Sequence, residues 1–296
     1  MINALTIDVE DYFQVEAFKD HIDRNKWDQY SVRVEKNVSV ILALLSEKKI
    51  TATFFILAWI AERYPELVKK IHAEGHEIGS HGYDHKLIYL QKPKDFFEET
   101  VRSKKTLEDL VGDEVLGYRA ATFSITHKSL WAIDSLIEAG FKYDSSIYPG
   151  RHDRYGLPGS PTEPYVITTD VGEITEFPVS VLRLWKGVMP IAGGGYFRLF
   201  PYWFSRWAYQ KINRSTGPFM FYLHPWEVDP DQPRIDGISR VTAFRHYINL
   251  VLCEKKLTKL TNDFEFTSLN NVLVRLSPAN KISMSEKIDA SLRLSL

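Results

Sequence analysis

Thr51-Ala52-Thr53-Phe54-Phe55-Ile56-Leu57 is followed by a run with Pro65 near its start and Leu67, Val68 and Ile71 inside it. Gly75 and then His76-Glu77-Ile78-Gly79-Ser80-His81 come next. The outer segments are short and apolar, as buried strands are, and the run between them spaces its apolar residues as a helix does. Pro is tolerated in a first helical turn, where its missing N–H has no partner to lose, and Gly accepts the backbone turn that ends a helix. Strand, helix and strand in this order predict a parallel pair joined by a right-handed crossover.

The pattern continues in both directions. Upstream, Ala4-Leu5-Thr6-Ile7-Asp8 is a strand ending in acid, and Val34, Val38, Ile41 and Leu45 mark a helix. Downstream, Phe97, Val101, Leu107, Leu110 and Val111 mark a helix closed by Gly112. Val115 to Tyr118 is a brief strand leading to Arg119. Leu130, Ile133 and Ile137 predict a helix with Thr126 as N-cap and Gly140 as C-cap. Phe141 to Asp144 is a further strand, and Phe219-Met220-Phe221-Tyr222-Leu223 is the clearest one, ending at His224. This is an α/β chain with a mostly parallel sheet, in which chemistry sits beyond the C-terminal strand ends. Asp8, His81, Arg119, Asp144 and His224 occupy those ends. Gly150 to Thr162 reads as a surface loop, and Ser277 to Leu296 as a weakly ordered polar tail.

The chain has 296 residues, 44% of them hydrophobic, enough for one large domain of the size an α/β barrel needs. Its 37 Lys and Arg balance 38 Asp and Glu, which gives no basic excess for nucleic acid. The single cysteine, Cys253, excludes an internal disulfide and sits among apolar helical residues as an inert thiol. The N-terminal residues lack the charged-then-apolar pattern of a secretion signal, and no apolar stretch approaches the ~20 residues of a spanning helix. The expected location is the cytoplasm, near the inner membrane.

His81-Gly82-Tyr83-Asp84-His85 sets two imidazoles four apart. A helical turn would aim both rings at one metal ion. Asp8 and Glu10 are at strand spacing and face the same side. Two histidines and one carboxylate leave coordination positions open for water and substrate, as metal-assisted hydrolysis requires.

These residues, in this order, resemble the polysaccharide deacetylases of the NodB-homology superfamily, carbohydrate esterase family four. The resemblance runs from about Ile2 to Trp226. Thr6-Ile7-Asp8-Val9-Glu10-Asp11 is similar to the acidic first motif and Ser80-His81-Gly82-Tyr83-Asp84-His85 to the metal motif. Arg119-Ala120-Ala121, Tyr143-Asp144-Ser145-Ser146 and Leu223-His224 resemble the remaining three. Asp8-Val9-Glu10-Asp11-Tyr12-Phe13, Gly193-Gly194-Gly195-Tyr196-Phe197-Arg198 and His224-Pro225-Trp226-Glu227 resemble a subgroup associated with exopolysaccharide and exosortase gene clusters. That subgroup carries an extra C-terminal region.

The resemblance implies a distorted (β/α) barrel of about seven strands. It implies one catalytic domain over residues 1–276, with residues 226–276 as a packed extension. It further implies one divalent ion, Zn²⁺, held by His81, His85 and an acid, either Glu10 or Asp11. Asp8 would be the base toward water, oriented by Arg119. His224, supported by Asp144, would be the acid toward the departing amine. Thr122 would offer a backbone N–H to the oxyanion, and Leu223, Tyr148 and Trp226 would shape the substrate pocket. The implied substrate is an N-acetylated oligo- or polysaccharide. A small-amide hydrolase of the allantoinase kind and a metal-free sugar-binding relative are the alternatives.

Overall fold

The computed structural model describes residues 1–185, 187–276 and 281–283. The strands are β1 (Ile2–Val9), β2 (Thr53–Ile56), β3 (Glu77–Ser80), β4 (Gly117–Tyr118), β5 (Tyr143–Asp144), β6 (Tyr165–Thr169), β7 (Gly172–Glu176), β8 (Val181–Leu184), β9 (Gly187–Pro190), β10 (Met220–Leu223), β11 (Glu265–Thr267) and β12 (Lys281–Ser283). The helices are α1 (Val34–Lys48), α2 (Ala58–Arg63), α3 (Pro65–Ala73), α4 (Pro93–Val111), α5 (Ala132–Glu138), α6 (Gly194–Leu199), α7 (Tyr202–Ser215), α8 (Arg240–Tyr247), α9 (Leu250–Asp263) and α10 (Leu269–Leu276).

The main sheet runs β10-β1-β2-β3-β4-β5-β7-β6-β12, with β11 also paired to β1. From β10 to β7 every pair is parallel, so seven parallel strands form the distorted barrel wall, and β6 turns back antiparallel on β7. Both faces of β1 are buried from Asn3 onward, as for a parallel strand covered on both sides. The register aligns the strand ends: Asp8 lies opposite Phe55, Ser80 opposite Tyr118, Tyr118 opposite Asp144 and Ile7 opposite Leu223. The residues that follow these ends therefore gather at one rim.

The helix of the opening sequence stretch forms as two pieces, α2 and α3, the second with Pro65 in its first turn. α1 buries Val34, Val38, Ile41 and Leu45, and Gly112 closes α4 in left-handed backbone (φ 75°). Three expectations are corrected. α5 starts at Ala132, so Leu130 precedes it and Thr126 is not its cap. The Ser129 hydroxyl accepts from Thr126 N and donates to Ser124 O, holding this stretch as a turn instead. On α4 the core face carries Phe96, while Val101 is exposed. Residues 150–162 form no helix or strand, yet the segment is not purely superficial, because Leu157 is buried. Most of the polar tail lies outside the described residues, and Lys281–Ser283 within it pair with β6. Among the described residues no helix is long and apolar enough to cross a membrane.

Candidate active site

The rim encloses a cavity whose walls include Asp8, Glu10, His81, His85, Thr122, Tyr222, His224 and Trp226. Glu10, His81 and His85, all buried, offer ligand atoms within 4.8 Å of one another. His81 follows β3, and its Nδ1 lies 2.8 Å from the Arg119 carbonyl oxygen. A carbonyl only accepts, so Nδ1 carries the proton and Nε2 is left with its lone pair, the form a metal ligand needs. Burial pushes the His81 pKa down to about 4, which keeps the ring neutral.

His85 reaches the cluster by a different route from the expected helical turn. Gly82 (φ 76°) and His85 (φ 58°) both take left-handed backbone, folding the segment back so that the two rings sit 5.5 Å apart. His85 Nε2 approaches Glu10 Oε2 to 2.8 Å, but that carboxylate oxygen has no aligned hydrogen-bond donor. Its other oxygen accepts from Trp226 Nε1 at 3.0 Å. Burial raises the Glu10 pKa, but His85 and His224 outweigh it, and the carboxyl falls well below the usual range. A buried oxygen without a donor, beside two imidazoles, fits a divalent cation.

The other candidate acid, Asp11, is occupied elsewhere. Its oxygens accept from Tyr12 N, Arg33 N and Val34 N at 2.7–2.9 Å, pinning the start of α1. Strand alternation turns it away from the face shared by Thr6, Asp8 and Glu10.

Asp8 is held by a built support. Phe55 lies so close over Gly79 that an added Cβ there would meet its ring at 2.5 Å. Arg119, fully buried, sits 4.2 Å above that Phe55 ring. Its Nη1 donates to Asp8 Oδ1 (2.6 Å) and Thr6 Oγ1 (2.7 Å), while Nη2 and Nε bond the Ser145 hydroxyl and carbonyl.

His224 Nε2 faces this side of the cavity, 4.0 Å from Asp8 and 3.6 Å from Glu10. The partner of its Nδ1 is Glu227 Oε1 at 2.8 Å, not Asp144 as expected. Glu227 is in turn paired with Arg198 (2.6 Å), whose remaining N–H groups bond the carbonyls of Arg245, His246 and Ile248. Burial lowers the His224 pKa, but Glu10, Glu227 and Asp8 more than compensate and raise it to about 9. The imidazole stacks on Trp226, which stacks on His246.

Asp144 instead bonds the Ser146 hydroxyl at 2.5 Å, and that hydroxyl accepts from Ala120 N. Burial lifts its pKa to about 6, and that of neighbouring Glu176 further still. Asp144 therefore supports the backbone beside Arg119. Two pocket expectations are also corrected. Leu223 packs in the core, because Tyr222 and His224 on either side of it take the cavity face. Tyr148 packs edge-on against Tyr155 and does not line the cavity. Thr122 does line it, with left-handed backbone at Thr122 and Phe123 (φ 54° and 51°).

Arg154, Tyr155 and Glu16 also line the cavity and carried no sequence signal. Glu227 and Arg198 did, since both stand in motifs quoted above. Glu227 follows His224 at the three-residue spacing of a capping box, and its carboxylate also accepts from His224 N.

Residues 26–142 match the family model of the polysaccharide deacetylases, and residues 145–274 match a domain of unknown function, DUF3473. The polysaccharide deacetylase match covers the segment that holds His81, His85 and Arg119. It is 29% identical over 113 residues to a peptidoglycan deacetylase of Helicobacter pylori, covering 38% of each chain. It is 35% identical over 72 residues to a peptidoglycan-N-acetylglucosamine deacetylase of Bacillus cereus, covering 24% of this chain and 26% of that one. The chain thus spans well under half the length of these relatives. In fold it is similar to a Mycobacterium smegmatis protein assigned to the polysaccharide deacetylases (TM-score 0.61, 18% identity, 94% of this chain and 92% of that one). The Puue allantoinase is similar too (TM-score 0.61, 15% identity, 92% and 89%).

Proposed function

We propose that the chain is a metal-dependent hydrolase that removes N-acetyl groups from N-acetylated sugars of a polysaccharide or its precursor. The observation that carries this reading is the placement of Asp8 and His224 around the Glu10–His81–His85 group in one cavity. Residues 1–276 act in this reading as one catalytic unit, with the part after Trp226 as its extension. The motif resemblance assigns the reaction to exopolysaccharide biosynthesis.

Glu10, His81 and His85 would hold the ion, for which Zn²⁺ suits two imidazoles and a carboxylate. When bound, such an ion lowers the pKa of water and polarises a carbonyl. Asp8 accepts the proton of the attacking water, and Arg119 keeps its carboxylate aimed. Trp226 fixes the remaining Glu10 oxygen. His224 presents a protonated Nε2 to the amide nitrogen, because Glu227 holds Nδ1–H from behind. An amine leaves a tetrahedral carbon readily only when protonated, so this second proton is needed.

The test is acetate release from N-acetylglucosamine oligomers by the purified chain, with and without a chelator, alongside a panel of small amides such as allantoin. Turnover of the sugars that is lost on chelation and restored by Zn²⁺ is expected. Turnover of the small amides alone would overturn the substrate assignment.

A further inference from the structure

The C-terminal half carries a surface that the cavity does not use. In α7, Trp203 and Trp207 are 70% and 46% exposed. Lys211 and Arg214 continue the stripe at helical spacing, while Ser205, Ala208, Tyr209 and Ile212 face the core. β8 packs against α7, and the β8–β9 turn presents Trp185 at 98% exposure beside half-exposed Leu184. Leu199, just ahead of α7, is exposed as well. Large exposed apolar groups gathered this way mark a contact surface.

Its charge is one-sided. From Val181 to Trp226 the sequence contains no Asp or Glu, although the chain as a whole is nearly neutral. Arg183, Arg198 and Arg206 of this stretch pair with Glu163, Glu227 and Asp263 from outside it. Lys211 sits over the Trp207 ring at 5.4 Å, and neither it nor Arg214 has a carboxylate partner among the described residues.

We propose that this face docks on an anionic lipid bilayer. Trp rings settle at the level of lipid head groups, where one edge is apolar and the other wet. A helix with such rings and cations along one stripe lies in that plane, attracted by negative lipid. The carboxylates that reach this face, Glu163 and Asp263, are already engaged by Arg183 and by Arg206 with Tyr202, which leaves them poorly placed to accept a neutral glycan's hydroxyls. The position relative to the cavity is consistent with a membrane-held substrate. Val188 of β9 lies against Gly150, where an added Cβ would come within 2.6 Å of it, and the loop beyond Gly150 brings Arg154 and Tyr155 to the cavity wall.

The experiment is co-sedimentation of the intact chain with vesicles of phosphatidylcholine alone or with about 30% phosphatidylglycerol, together with tryptophan emission. Binding to the anionic vesicles only, with a blue shift and a loss on raising salt, is expected. Trp203→Ser with Trp207→Ser should remove most of the blue shift and most of the binding, Trp185 keeping the remainder. Lys211→Gln with Arg214→Gln should weaken binding on the order of thirtyfold. All four positions are exposed, and matching thermal melts verify folding. Absence of binding by the parent chain, equal binding by the variants, or a self-association that the Trp variants abolish without any vesicle binding would each overturn the proposal. No readout requires turnover, so it stands or falls separately from the hydrolase reading.

Discussion

The two walls of the cavity are built on opposite principles. The wall from the first half of the chain, Glu10, His81 and His85, crowds ligand-type atoms within 4.8 Å of one another. Glu10 Oε2 has no aligned donor although His85 Nε2 lies 2.8 Å from it, and the outward Nδ1 of His85 is buried unbonded as well. On the second-half wall His224 is backed by Glu227 and Arg198, each group bonded to the next and the last to three backbone carbonyls, and only the His224 Nε2 that faces the cavity is left over. Buried polar atoms left unpaired cost stability, so an unpaired cluster is retained where something else completes it. A chain bonded in this way holds one protonation state in place. In the proposed function, one wall takes up a cation and the other holds a proton.

The largest effect should come from breaking the first wall. His85→Ala is expected to lower bound metal by more than ~10-fold and to bring turnover to background, since losing a residue that would hold the ion costs more than the ~10–100-fold typical of the partners behind it. Metal analysis beside acetate release checks both, and full occupancy in this variant would mean the wall has another purpose.

Next is Asp8→Asn, which removes a base without removing a ligand. Metal content should remain near that of the parent while kcat falls toward the ~10⁴-fold limit of positioned proton transfer. Loss of metal here would exchange the roles of Asp8 and Glu10.

The second wall should give smaller changes. His224→Ala is expected to cost about 10²–10³-fold in kcat with metal retained. The sign of the pH dependence follows from a pKa raised to about 9: the imidazole is protonated at neutral pH, and rate falls as pH rises through that value. His224→Ala should therefore lose the alkaline limb. Glu227→Gln should move that limb to lower pH and cost about 10–100-fold, because the carboxylate stabilising the imidazolium is gone. An unmoved limb would separate Glu227 from proton handling. Tyr148→Phe should change KM by less than about twofold, since a hydroxyl away from the cavity makes no contact with substrate.

Much of this site could be read from the chain because strand ends are periodic. Alternation puts Thr6, Asp8 and Glu10 on one face, and the same rule turns Asp11 toward α1 and Leu223 into the core. Along β10 the same alternation places Leu223 in the core between Tyr222 and His224. The exchange of Asp144 for Glu227 was not legible in that way. Both bonds are local, two residues apart for Asp144 with Ser146 and three for Glu227 with His224, and the signal was the capping-box spacing after His224, which alternation does not supply. The link from Arg198 to carbonyls of residues 245–248 joins segments without a shared period. The left-handed turn at His85 overrode the helical expectation while delivering the same pair of rings.

The position of β1 in the sheet has a consequence for synthesis. Its C-terminal half pairs with β10 and its N-terminal half with β11, and Asn3 bonds Phe219 across 216 residues. At ~5–20 residues per second the ribosome needs roughly ten to forty seconds to produce that partner. β2 arrives early and covers one edge of β1, while the other edge, on an apolar strand, stays open to neighbouring chains. The strand that carries Asp8 and leads into Glu10 is thus open to misassembly in the nascent protein, and slower growth at lower temperature with chaperones present should raise the yield of folded chain.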